Sequence, residues 1–128
     1  MRFMVMVKAS GQSEDGELPS EEDLTAMGRY NEELIKAGVL LAGEGLHASS
    51  RGARVKFTDG VPTVIDGPFA EAKELVAGFW LLEVKSKEEA VEWVKRIPWT
   101  DGVESDVEIR QVFEADDLTA AVTANKGR

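Results

Sequence analysis

Two serines most constrain what this chain can fold into, because each opens a helix that lies between apolar, strand-like runs. Ser20 precedes Glu21-Glu22-Asp23, and Ser86 precedes Lys87-Glu88-Glu89. A capping hydroxyl accepts from the amide three residues on, and an acidic side chain at that third position can answer it. The pattern is full at Ser86 and weak at Ser20. After Ser20, the residues Leu24, Met27, Asn31, Leu34 and Ile35 share one helical face until Gly38 supplies a stop. After Ser86, Ala90, Val91, Trp93, Val94 and Ile97 give a broad apolar face that Pro98 ends.

The strands follow from what flanks these helices. Residues 2–8 are apolar on both faces and read as a central strand. Val39 to Leu46 is a second strand, in which Gly43 and Gly45 mark a bulge or a close backbone approach. Val55–Phe57 and Thr63–Ile65 flank Asp59-Gly60, a two-residue hairpin turn in which both positions take positive φ, and Pro62 confines its strand to an edge. Phe79–Val84 and Val107–Phe113 complete the set. Ala9 to Pro19 reads as a loop, and residues 115–128 as a flexible tail or a partner-binding arm beyond a domain at 1–114.

The order is β-α-β, an inserted hairpin, then β-α-β: an α+β, ferredoxin-like layer of two helices on one face of an antiparallel sheet. Its other face would expose apolar side chains, which a monomer does not tolerate. Burying about 600 Å² of it favours association by about 15 kcal/mol before entropy costs. A homodimer with its sheets face to face is the expectation, with a cleft between sheet and insertion.

Composition narrows the function classes. Fifteen basic against 24 acidic residues give a net charge of −9, which repels phosphate backbones, so nucleic-acid binding is not expected. The absence of cysteine removes thiol chemistry and fits a reducing compartment. One histidine leaves a zinc site short of its usual ligands. No apolar run is long enough for a bilayer or a signal-peptide core. The expectation is a cytoplasmic protein without metal or cofactor.

Two titratable side chains stand out. Asp66 opens Asp66-Gly67-Pro68-Phe69, a proline-fixed turn that can present charge from a rigid base. It is either a general base or an acceptor for the amides of its own turn. His47, at the end of the second strand, is the only side chain whose ordinary pKa lies near neutrality; a pocket rim and an exposed turn both suit it. Lys73 is suited to an anionic substrate with Glu71 or Glu74 as its partner, and equally to a solvated face. Glu44, between two glycines, needs a partner such as Arg51 or Lys8 if it is buried. Tyr30, Trp80 and Phe69 suit the core or a dimer interface better than ligand stacking, which Phe69 could also serve.

Ala42-Gly43-Glu44-Gly45-Leu46, then Asp66-Gly67-Pro68-Phe69-Ala70-Glu71-Ala72-Lys73-Glu74, then Gly78-Phe79-Trp80 and its capped helix, resemble the YCII-related, or DGPF-domain, family from about Arg2 to Glu114. The resemblance implies the dimeric α/β-barrel class. It also implies, for compact members, a His–Asp pair in a pocket beside the sheet. Asp66 matches that aspartate. The histidine's place on the first helix holds Met27, Arg29 and Tyr30 here, so His47, from another element, is the stand-in. The expected activity is isomerase- or lyase-type proton transfer on a small organic acid; the rivals are a non-catalytic ligand-binding or regulatory module, and a structural dimer whose tail recruits a partner.

Overall fold

The computed structural model describes residues 1–99 and 105–126, apart from the side chains at positions 73, 121 and 124–126. Its elements run β1 (Arg2–Lys8), α1 (Gly11–Glu14), α2 (Glu21–Lys36), β2 (Leu40–Gly45), β3 (Ala53–Thr58), β4 (Val61–Asp66), β5 (Val76–Glu83), α3 (Lys87–Val94), β6 (Val107–Gln111) and α4 (Ala115–Lys126), with 3-10 turns at Ser49–Arg51 and Ala72–Glu74. Four strands form one antiparallel sheet in the order β2-β5-β1-β6, and β3 pairs only with β4. This α+β arrangement is consistent with a ferredoxin-like fold.

The register decides which side of each strand is inner. Phe3 and Val5 of β1 and Trp80 and Leu82 of β5 are buried with Tyr30 and Leu34 of α2 and Ala90 of α3. Met4, Met6, Phe79 and Leu81 alternate with them and lie on the opposite face, half-buried. Three cross-strand rows run over the inner face: Leu40-Leu82-Phe3, then Gly43-Trp80-Val5-Ile109, then Gly45-Gly78-Val7-Val107. Large side chains fill the first two rows. Two glycines empty half of the third.

The caps form as their chemistry requires. Ser20 Oγ accepts from Asp23 N at 3.1 Å and Ser86 Oγ from Glu89 N at 3.1 Å. The reciprocal bond of the second box reaches one residue further back, with Lys85 N donating to Glu89 Oε2 at 2.7 Å. Asp59 and Gly60 take φ of 51° and 80°, the left-handed pair that the hairpin turn needs.

Four local expectations are corrected. The stretch from Ala9 to Pro19 contains a one-turn helix, α1, because Ser10 and Ser13 cap each other reciprocally. The inner face of α2 runs through Met27, Tyr30 and Leu34, so Ile35 is 61% exposed; Leu24, at 58%, stands over open space rather than core. The last strand stops at Gln111. Residues 115–126 are helical, since alanine favours helix and the Asp117 carboxylate accepts from Glu114 N at the first turn. Arg2 Nε and Nη2 donate to the two Glu114 carboxylate oxygens, at 2.8 and 3.2 Å, which holds that carboxyl below the usual range and anchors the start of α4 to β1.

Candidate functional site

The emptied third row is the floor of a cavity of about 510 Å³. Gly45, Gly78 and Val7 form that floor, Leu24, Met27 and Asn31 of α2 the roof, and residues 13–19 one wall. Strand glycines explain the space: a side chain at Gly45 would stand in it, and a Cβ at Gly78 would press on the β2 backbone, 3.1 Å from Glu44 O. Gly45 has nothing within 4 Å of where a Cβ would stand. The volume is in the range of small-molecule sites, and apolar side chains dominate its lining.

Trp80 closes the inner end. Its indole lies flat across Gly43, so close that a Cβ there would sit 2.8 Å from Trp80 Cδ1. The missing side chain at Gly43 is what lets the indole reach α2, where Nε1 donates to Asn31 Oδ1 at 2.8 Å. Tyr30 holds the ring from behind in an edge-to-face contact at 5.5 Å, and its own hydroxyl donates to Trp93 O at 2.7 Å. Burial pushes the Tyr30 hydroxyl up to about 12, so it remains protonated and structural.

The expected site residues divide between this cavity and the hairpin base. His47 and Glu44 line the cavity. Both are exposed, and Glu44 has neither Arg51 nor Lys8 as a partner. The His47 ring lies against Arg51, whose Nη1 is 3.3 Å from Nδ1 and 3.2 Å from Nε2. Asp66 ends β4 with an exposed carboxylate and, among the described residues, no hydrogen-bond partner. It forms no ion pair with His47. Phe69, Glu71 and Glu74 are not on the cavity wall. Phe69 instead lies under the Arg54 guanidinium, 3.9 Å from its ring centre, and Glu71 precedes the 3-10 turn that contains Glu74. The Lys73 side chain lies outside the described residues.

What the Asp66–Phe69 turn does is visible in its contacts. Ser49 Oγ accepts from Phe69 N at 3.0 Å and donates to Glu14 Oε2, while Ser49 N donates to Glu14 Oε1 at 2.9 Å. These bonds hold Glu14 below the usual carboxylate range. Gly67 packs so tightly on the same turn that a Cβ would stand 1.8 Å from Ser49 O. Three segments, at Glu14, Ser49 and Phe69, are thus buckled together beside His47. Ser49 escaped the sequence reading because its partners lie 35 and 20 residues away and nothing local marks them. Asn31 was read only as a position on a helical face.

A profile of the YCII-related domain matches residues 1–116. An uncharacterized protein of Rhizobium meliloti (strain 1021) is 34% identical over 73 residues, 57% of this chain and 56% of that protein, so the chain spans about half the length of that relative. Among solved structures the chain is similar to 5-chloro-2-hydroxyhydroquinone dehydrochlorinase from Burkholderia phenoliruptrix AC1100, in complex with 2,5-dihydroxybenzoquinone. That likeness has a TM-score of 0.45 at 18% identity and covers 91% of this chain and 99% of the other.

Proposed function

Since the chain belongs to the YCII-related domain family, matched over residues 1–116, we propose that it is a small-molecule-binding domain whose ligand occupies the cavity between α2 and the β2–β5 edge. One observation carries this reading: a largely apolar space of about 510 Å³ with the chain's single histidine on its wall. Apolar walls supply affinity through burial, and a few polar groups fix orientation. His47 is the group that can exchange a proton with a bound molecule near neutral pH.

The test is amide mapping by NMR with a panel of neutral, ring-sized molecules. Shifts clustered at Gly43, Gly45, Ala77 and Gly78 are expected. A panel that leaves these four amides unmoved would end the proposal. If the domain is catalytic, the chemistry is isomerase- or lyase-type proton transfer with His47 as base, and His47→Gln abolishes turnover while binding persists. A non-catalytic binding module is the second reading. It is favoured by one observation: among the described residues His47 is bonded to Arg51 and to no carboxylate.

The partner in this proposal is a second copy of the chain, in the dimeric α/β-barrel manner. Met4, Met6, Phe79 and Leu81 on the sheet face away from the helices support it, as does the exposed apolar stripe of the hairpin. Sedimentation should give twice the chain mass for the wild type and the single-chain mass for Leu81→Asp. A wild type that sediments as a monomer at micromolar concentration refutes the dimer.

A further inference from the structure

We propose that Asn31 is a ligand-positioning residue: its carboxamide Nδ2 donates a hydrogen bond to a neutral carbonyl oxygen of the molecule in the cavity. The inference rests on the binding role of the cavity argued above and adds the chemical class of its ligand.

An asparagine amide can usually be turned either way, but here the neighbour decides. An indole nitrogen is a donor only, so the group 2.8 Å from Trp80 Nε1 must be the acceptor, Oδ1. The NH₂ then faces away from the indole, and the orientation is held at both ends. Gly43 lets the indole lie where it does, and Tyr30 supports its other side. Among the described residues Nδ2 has no hydrogen-bond partner. Every buried side-chain nitrogen and oxygen there does have one, so Nδ2 has open surface; Asn31 is half-buried, and the open space it lines is the cavity. A fixed donor at the inner end of an apolar space is what a site built to recognise an oxygen acceptor contains.

Charge selects among acceptors. Glu17 and Glu44 line the cavity, and none of its lining residues is a lysine or an arginine. Arg51 is in contact with a lining residue, but it lies against His47 at the exposed rim. A carboxylate held at Asn31 would meet the field of two like charges with no described cation on the wall beside it, whereas a ketone, lactone or amide meets a donor without that penalty. The preferred ligand is a neutral carbonyl compound with an apolar or aromatic body.

The experiment uses the full chain and three probes: acetophenone, toluene and benzoate. Acetophenone has the acceptor, toluene lacks it, and benzoate carries it as an anion. Asn31→Asp keeps an acceptor for Trp80 and removes the donor with little change of shape. Acetophenone affinity is expected to fall about three- to tenfold in this variant, the usual span for one hydrogen bond, with toluene unchanged within about twofold. Benzoate should bind the wild type more weakly than acetophenone. In the wild type, the Asn31 NH₂ resonances should move with acetophenone and stay with toluene, a readout that does not depend on how the variant folds. If acetophenone and toluene both bind but respond alike to the substitution and leave the NH₂ alike, the Asn31 assignment is overturned and the cavity reading survives. If benzoate binds best, the neutral-ligand class is overturned. If neither acetophenone nor toluene binds the wild type, both readings fall.

Discussion

Taken as sets, the strands of the four-stranded sheet and those of the β3–β4 hairpin are both at least half apolar, yet only the sheet has a core. In the sheet, alternate residues meet α2 and α3, and Leu34 at the centre is fully buried. In the hairpin all twelve strand residues are exposed, including Phe57 at 69% and Val64 at 66%. Val55, Phe57, Pro62 and Val64 share one face through their cross-strand pairing, and among the described residues none buries it. An isolated two-stranded ribbon is marginal in water. The difference teaches that apolar pattern alone does not create stability; a second layer does. It also locates the site, since the hairpin is tied to the body by the Ser49 buckle next to the cavity rather than by packing.

The largest expected effect sharpens this contrast directly. Leu34→Ala should cost about 2–5 kcal/mol in urea unfolding, the range for an emptied core position. Phe57→Ala should stay within about 0.5 kcal/mol when both substitutions are compared in the monomeric Leu81→Asp background, as for exposed substitutions. Equal losses at the two positions would mean that the hairpin is packed after all. Gly67→Ala comes next, at about 1–3 kcal/mol and toward the upper end, because the obstacle is the backbone oxygen of Ser49. Faster amide exchange at Phe69 and Ser49 should accompany it; an unaltered exchange pattern would show that the buckle does not hold the hairpin base.

The smallest effect is a pH dependence. Glu14 has its folded pKa lowered by its bonds from Ser49, so the stabilising contribution is present above the ordinary carboxylate range. It is lost as pH falls through the lowered folded value, where the carboxylate takes up a proton. The protection factor of the Ser49 amide, its exchange rate corrected for the intrinsic pH dependence, should therefore fall on acidification in the wild type and be nearly flat with pH in Glu14→Gln. A wild type and variant with parallel profiles would remove Glu14 from the buckle.

Much of the architecture was legible because its signals are local. Ser20, Ser86 and Gly38 mark helix ends through bonds within a few residues, and Asp59-Gly60 fixes a turn by backbone sterics alone. The apolar run of β1 announced a central strand, which it is. The cavity was not legible, because its floor joins Gly45, Gly78 and Val7 from three strands, and their alignment exists only once register is set. The two glycines of β2 drew notice as a close-approach signal, and Gly43 under Trp80 is that approach. Tyr30 meets Trp80 in the core as its aromatic bulk suggests, whereas Ile35, on the helical face the spacing picks out, turns to solvent. His47 could be found because it is the only histidine; where it points could not.

The most direct test asks whether the bare floor is what admits a ligand. Gly45→Leu places a side chain into space that is open in the wild type, so the fold and its melting temperature should change little. Acetophenone titrated into both proteins should bind the wild type and lose at least tenfold in affinity for the variant. Equal binding by the two would contradict the account, because the molecule would then be held somewhere other than between α2 and the glycine floor.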